Sequence, residues 1–164
     1  MPPHTAAPAG PRPRGARRAD AVALKALSGP FARSGALRER PLARYAADAS
    51  DFLVVDAPDG SLDGCLGLGV HPAEPGSGGG DVGVLYNFCV AAHRQGRGVG
   101  ALLLRAALDE AAGRSLSTLF TATTGGGGLF LRHGFAPACA RLAPAAWAGA
   151  LDPRRGARVL ARGV

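Results

Sequence analysis

The sequence predicts an α/β fold: one mixed layer of strands with helices packed on it, in a single domain. Three observations predict it. The chain has 164 residues, 47% hydrophobic and 19% charged, which is enough for one full core and outside the disordered and fibrous classes. The hydrophobic period switches along the chain in the order helices, antiparallel hairpin, strand, helix, strand, helix, strands. A glycine-rich basic elbow, CVAAHRQGRGVGALLL (89–104), joins a strand-like run to a helix-like run. A helix placed there connects two parallel strands.

The elements follow in order. Pro and Gly dominate 1–15, so residues 1–11 are expected to form a disordered Pro/Arg-rich tail, with a ragged strand near Arg12–Arg14, and 12–164 the domain. Asp20 is placed to cap a helix through AVALKALSGPF, where Val22, Leu24, Leu27 and Phe31 recur at helical spacing until Gly35 breaks it. Pro41–Ala47 reads as a second short helix, with Pro41 at its first position. DFLVVDA (51–57), the turn PDG (58–60) and LDGCLGLGV (62–70) read as a hairpin. HPAEPGSGGG (71–80) reads as a flexible loop and VGVLYNFCV (82–90) as a strand. From Gly98 to Gly113, Val99, Leu102, Leu103, Ala106 and Ala107 keep a helical period, and Gly113 is placed to stop it. LSTLFTA (116–122) is β-like, and Gly125–Gly128 is a loop or a poor helix start. LFLRHGF leads through a short helix and a turn to a strand near Ala136–Leu142, and ARVLAR (157–162) reads as a final strand.

Composition bounds the function. The net charge is +7, from one lysine and eighteen arginines against twelve acids. Four arginines lie in 1–20 and six in 132–164. A basic C-terminal third suits an anionic ligand or a solvated face. A nucleic-acid binder would interleave aromatics with its arginines, yet aromatics are 5%. No apolar run reaches a membrane span, and the N-terminus has no apolar core of a secretory signal. Cys65, Cys89 and Cys139 lack metal spacing and are odd in number, which argues against a disulfide framework and for a reducing, cytoplasmic setting.

The elbow carries the chemistry. A helix N-terminus presents free N–H groups and about half a positive charge, glycines let the backbone approach a ligand, and Arg94 and Arg97 add charge. Together these suit a pyrophosphate. The phosphate loop GxxxxGK[ST] is excluded, because no lysine follows. Gly96, Gly98 and Ala101 meet the dinucleotide fingerprint only in its relaxed form, and the acidic residue about 20 positions on is absent. Gln95-Gly96-Arg97-Gly98-Val99-Gly100 fits a third pattern, Q/R-x-x-G-x-G/A, with ALLLRAAL after it and LRHGF about 30 residues on.

That combination resembles the GNAT acyltransferase superfamily across nearly the whole chain. The resemblance implies a mostly antiparallel mixed sheet, splayed in the middle, with acetyl-CoA as co-substrate in the gap and no metal. It implies that Gln95, Gly96, Arg97, Gly98, Val99 and Gly100 cradle the pyrophosphate and that Phe88, Cys89 and Val90 bind the pantetheine and thioester. The Val90 N–H would polarise the thioester carbonyl. Many members carry a tyrosine acid four residues before the glycine of the GF pair; here that position is Phe130, which leaves a packing role against the cofactor and no side-chain acid. Asp81 and Glu74 border the loop before the strand as candidate bases or plain surface.

A narrower similarity is to the acetyltransferase domain of bacterial N-acetylglutamate synthases. Gly35, Leu37 and Arg40 fit its G-x-L-x-x-R segment; Thr123, Thr124, Phe130, Gly134 and Phe135 fit its TTRTAHWF-x-x-x-GF segment; Arg155, Ala157, Arg158, Val159 and Leu160 fit its last strand. Carried over, Arg40 and Arg155 would hold a substrate carboxylate, for which the arginine fork is apt. Thr123 would lie near the substrate backbone, and Asn87 replaces a strand cysteine. The chain departs from that pattern at Gly125–Gly128, where the family has RTAH. The expected function is acetyl transfer to the primary amine of a small molecule such as glutamate or a related acidic compound, by a monomer or homodimer. Acetylation of a toxic or antibiotic-like amine, and a CoA-binding regulatory module without turnover, stay open as alternatives.

Overall fold

The computed structural model describes residues 11–76, 78–125 and 127–164. The expected tail over 1–11 thus lies outside the described residues except for Pro11. The chain runs β1 (Arg14–Gly15), α1 (Ala21–Arg33), α2 (Leu42–Ala47), β2 (Phe52–Asp56), β3 (Leu62–His71), β4 (Val82–Val90), α3 (Val99–Gly113), β5 (Thr118–Thr123), α4 (Gly128–Arg132), β6 (Ala136–Pro137), α5 (Ala145–Gly149) and β7 (Arg158–Gly163). The strands form one seven-stranded sheet in the order β1-β2-β3-β4-β5-β7-β6. Every neighbouring pair is antiparallel except β4 and β5, which α3 connects in parallel.

Helices cover both faces. α3 buries Val99, Leu103, Leu104, Ala107 and Ala111 against Val55, Leu66, Leu68, Leu85 and Leu119 of the sheet. α1 buries Leu24 with Tyr45, Phe52, Val54, Cys65 and Cys89 on the other face. A third cluster joins Phe120 and Val84 to Trp147 of α5.

The sheet splits in the middle. β4 pairs with β5 only from Val82↔Thr118 to Leu85↔Thr121. Beyond Leu85, β5 continues to Thr123 on β7 alone. The cause lies on β4's other edge. Cys65 faces Cys89 and Gly67 faces Tyr86, so Leu66 stands opposite two residues, Asn87 and Phe88. That is a β-bulge, and bulges bend the strand that carries them. Asn87 sits in it at φ 48, a left-handed conformation that asparagine tolerates better than most residues. The Thr121 hydroxyl donates to the Leu85 carbonyl at 3.2 Å, occupying the carbonyl where the parallel ladder stops.

Several local expectations are corrected. Asp20 does not cap α1; its carboxylate accepts from Arg14 Nη1 and Nη2 and from the Arg17 N–H. Val22 is 67% exposed; Leu24 is buried and Leu27 and Phe31 pack against its cluster as expected, with Ala21 and Ser28 buried beside them. Pro41 is the N-cap of α2, one place earlier than expected. α3 does stop at Gly113, as expected, and the left-handed residue that follows it is Ser115, at φ 56. The strand expected near Ala136–Leu142 is only Ala136–Pro137, followed by a 3-10 turn at Ala140–Leu142. Pro137 has no ladder donor, and Leu142 is 73% exposed, so the segment has no buried face to hold it on the sheet. Helix α5, which the periodicity does not announce, starts after Pro144 and is anchored by Trp147 on Phe120 at 6.4 Å.

Candidate active site

The elbow closes into the geometry an anion needs. Gly96 and Gly98 adopt φ 75 and 85, values only glycine takes without strain. Gly98 is the N-cap of α3, and the first helical bond runs from the Leu102 N–H to the Gly98 carbonyl. The N–H groups of Val99, Gly100 and Ala101 therefore have no helical acceptor. Gln95 donates from Nε2 to the Val90 carbonyl at 3.1 Å, tying the loop to the strand end. Arg97 is exposed. Arg94 is not part of this charge: its Nε lies 3.2 Å from the buried Asp63 carboxylate, and His93 is 3.7 Å from the same group.

The strand end is turned toward the split. The Ala91 N–H donates to the Asp63 carbonyl at 2.8 Å, so the Asp63/Ala91 pair holds the ladder bonds there. Antiparallel pairs alternate, so in the next pair, Gly64↔Val90, the Val90 N–H and carbonyl point away from β3. They face the side that β5 has left. Below them, Phe88 and Phe130 meet edge-on at 5.7 Å, and Phe130 and Phe135 at 5.3 Å. A Cβ on Gly100 would stand 3.4 Å from the Phe88 ring, so α3 packs closely on this apolar floor.

A cavity of about 710 Å³ opens on the α1 and α5 face of the split. Arg40, Asn87, Phe88, Thr123, Phe130 and Arg155 line it; Cys89, Val90 and Gln95–Gly100 do not, and lie at the elbow instead. Arg40 donates from Nη1 to Asn87 Oδ1 at 2.9 Å. Asn87 also accepts from the Tyr45 hydroxyl and donates to Ser28 Oγ. Beneath it, the Cys65 and Cys89 sulfurs are 3.6 Å apart. The hydrogen bond to Cys65, and then burial, push the Cys89 thiol far above its usual range. These cysteines are thus polar partners of the bulge as well as small hydrophobes. Arg155 donates from Nη2 to the carbonyls of Gly35 and Ala36 at 2.9 and 3.0 Å, bracing the segment that carries Arg40. Thr123 accepts the Gly125 N–H at 3.2 Å.

Two cavity residues were not singled out as site residues by the sequence. Tyr86 on β4 donates its hydroxyl to Asp51 Oδ2 at 2.7 Å. Burial, opposed by that bond, raises the Asp51 carboxyl, and burial followed by the Asp51 bond raises the Tyr86 phenol. The other candidate acids sit elsewhere: Asp81 accepts the Ala73 N–H and staples the loop, and Glu74 is exposed beside it. Among the described residues no group of three His, Cys, Asp or Glu side chains is gathered to hold a metal, and no helix is long and apolar enough to cross a membrane.

Residues 22–135 match the model of the Acetyltransferase (GNAT) family. The chain belongs to that family. The match takes in the split, the whole elbow, Arg40 and Phe130, while Arg155 lies beyond it. Among solved structures this GNAT acetyltransferase is similar to N-acetylglutamate synthase from Neisseria gonorrhoeae complexed with coenzyme A and N-acetyl-glutamate, at 28% identity and a TM-score of 0.80 over 94% of this chain and 35% of that one. The same synthase complexed with coenzyme A and L-arginine aligns at 26% identity and TM-score 0.74, over 94% and 33% of the two chains. This chain therefore spans about a third of the synthase's length. Rv2747 from Mycobacterium tuberculosis, in complex with CoA and NLQ, shares the fold at 22% identity and TM-score 0.77, over 94% of this chain and 99% of that one. No curated protein matches the sequence.

Proposed function

We propose that the chain transfers an acetyl group from acetyl-CoA to the primary amine of a small carboxylate-bearing molecule, an amino acid such as glutamate, by direct attack on the thioester. The observation that carries this reading is the split itself. An anion cradle sits at one end of it, and a cavity lined by Arg40 and Arg155 sits at the other.

Each residue then has a task. The free N–H groups at the start of α3 and the exposed Arg97 receive the pyrophosphate. The strand edge at Phe88 and Val90 offers backbone groups where β5 is missing, and these bind the pantetheine, while Cys89 pairs with Cys65 on the β3 side. The Val90 N–H donates to the thioester carbonyl oxygen; one such donor is worth about 3–4 kcal/mol of a barrier. Bound acetyl-CoA supplies the activated acyl group. Arg40 and Arg155 hold the acceptor carboxylate, with Thr123 beside its backbone and Asn87 orienting Arg40. Positioning of this kind removes much of the entropic cost of a two-substrate step. Phe130 supplies no proton. The N. gonorrhoeae synthase, which carries coenzyme A and N-acetyl-glutamate in a similar fold, supports the acidic acceptor.

The test is thiol release from acetyl-CoA across the amino acids and a panel of amines lacking a carboxylate. The expected result is turnover with glutamate or another acidic amino acid as the best acceptor. Thiol release from no amine at all would sink the reading, and a preference for amines without a carboxylate would sink the acceptor class.

A further inference from the structure

An ammonium group cannot attack a thioester, and an amino acid brings its amine largely protonated at neutral pH. The site reading above thus leaves a proton without a destination. Three aspartates line the cavity: Asp48, Asp51 and Asp152. Asp48 is paired with Arg44 at 3.3 Å, and Asp152 with Arg154 at 3.5 Å while it accepts the Arg154 N–H. Asp51 is the one of the three without an ion-pair partner among the described residues; its hydrogen bond comes from a neutral phenol.

That phenol is held firmly. The Tyr86 ring lies across β3 over Gly67, where a Cβ would come within 2.8 Å of two ring atoms. Phe52 meets the ring edge-on at 5.3 Å, and the Arg40 guanidinium covers it at 5.2 Å from the centroid. Tyr86 is also the last residue of β4 before the bulge and the first without a partner on β5. With its proton given to Asp51, the Tyr86 oxygen keeps lone pairs to accept from a donor in the cavity.

We propose that Tyr86 and Asp51 together accept the proton of the acceptor's ammonium group. One N–H bond breaks as an O–H bond forms on Tyr86. The former Tyr86 proton moves to Asp51 Oδ2, leaving a neutral amine, a neutral phenol and a carboxylic acid. Asp51 later releases its proton to water. The second amine proton leaves with the thiol product, so charge and atoms balance. The environment suits the task. Burial raises Asp51 toward the amine, which favours a base working near neutrality. Tyr86 is raised too, so it passes a proton instead of ionising on its own. The groups facing the pair are Asp48 from the end of α2, His71 from β3, Arg114 from the end of α3, and Arg40 above the ring.

This inference rests on the proposed acetyl transfer, and its experiment separates the two. The pH profile of kcat/KM is measured with the best amine for the wild type, Asp51→Asn and Tyr86→Phe, with coenzyme A affinity by calorimetry and melting curves alongside. Tyr86→Phe keeps the ring on Gly67 and Phe52, so it guards against loss of fold. Both variants are expected to lose about 100-fold or more near neutral pH, within the range of general-base contributions. The loss should shrink as pH approaches the amine's own pKa, and coenzyme A affinity should stay unchanged. A second readout needs no substrate. The chain has two tyrosines, and Asp51→Asn should move one tyrosinate absorbance transition to lower pH. Variants that keep the wild-type acidic limb, or lose the same factor at every pH, overturn the pair, as does an unmoved tyrosinate transition. A wild type that releases thiol from no amine overturns the parent reading as well.

Discussion

Gly67 has no side chain, and the Tyr86 ring occupies the room a Cβ would need. Phe52 on one side and Arg40 on the other leave the ring nowhere to slide. Gly67→Ala should therefore lift the ring and lengthen its bond to Asp51. Overpacking of this kind costs about 1–3 kcal/mol, so the melting temperature should fall. If the ring is a working part, kcat should fall with it while coenzyme A affinity holds; calorimetry beside steady-state kinetics separates the two. Arg155 is a second residue-scale case. Part of its fork is already spent on the Gly35 and Ala36 carbonyls. Arg155→Ala should raise the acceptor KM about tenfold or more, since a hydrogen bond to a charged group is worth about 1.5–3 kcal/mol, with coenzyme A affinity unchanged. An unmoved KM would remove Arg155 from the carboxylate site and leave it only as a brace.

At the scale of elements, the first strand is held by one arginine. Arg14 of β1 reaches Asp20, just before α1, through two bonds of 3.0 and 2.9 Å, and Asp56 at the end of β2 through bonds of 2.8 and 2.9 Å. The guanidinium holds the Asp20 carboxyl at about 2, well below the usual carboxylate range, and lowers Asp56 as well. A depressed folded value means the stabilisation is present above the unfolded value, near pH 4, and is lost as pH falls toward 2. The pair is partly solvated, so the loss should be about 1 kcal/mol after screening, or about 2–4 °C in melting temperature. Arg14→Leu should flatten the fall in melting temperature between pH 4 and pH 2; a variant as steep as the wild type would show that the tether carries no stability. This contact also shows what sequence reading misses. Asp20 before an apolar helical run looks like a cap, and only the fold reveals that Arg14 comes within reach. β4 and α3 were legible to within a residue, because each has a long buried face with a clean period. β6, α5 and the turns after them were not, because few of their side chains are buried and proline sets their limits.

For the whole molecule, the break between β4 and β5 coincides with the place proposed for its chemistry. The bulge opposite Leu66 bends β4 from β5, and among the described residues no ladder pair joins the two strands beyond Leu85↔Thr121. The elbow was readable because its glycines and Gln95 are contiguous. The Asp51–Tyr86 pair was not, because its members are 35 residues apart and meet only once the hairpin and the bulge have formed. A ligand lying in the split should act as the missing bridge and stabilise the folded chain by mass action. At coenzyme A concentrations about 100-fold above Kd the gain is about 2.7 kcal/mol, which for this length is a rise of about 5–10 °C in melting temperature. Gly98→Glu should abolish that rise by placing a carboxylate at the α3 N-terminus, the proposed pyrophosphate site, and by straining a residue that sits at φ 85. Because the elbow's attraction is partly that of exposed charge, the wild-type rise should shrink between low and high salt. Thermal melts with and without coenzyme A, for both proteins at two salt concentrations, make the check. An equal rise in the wild type and Gly98→Glu would mean that coenzyme A binds away from the elbow.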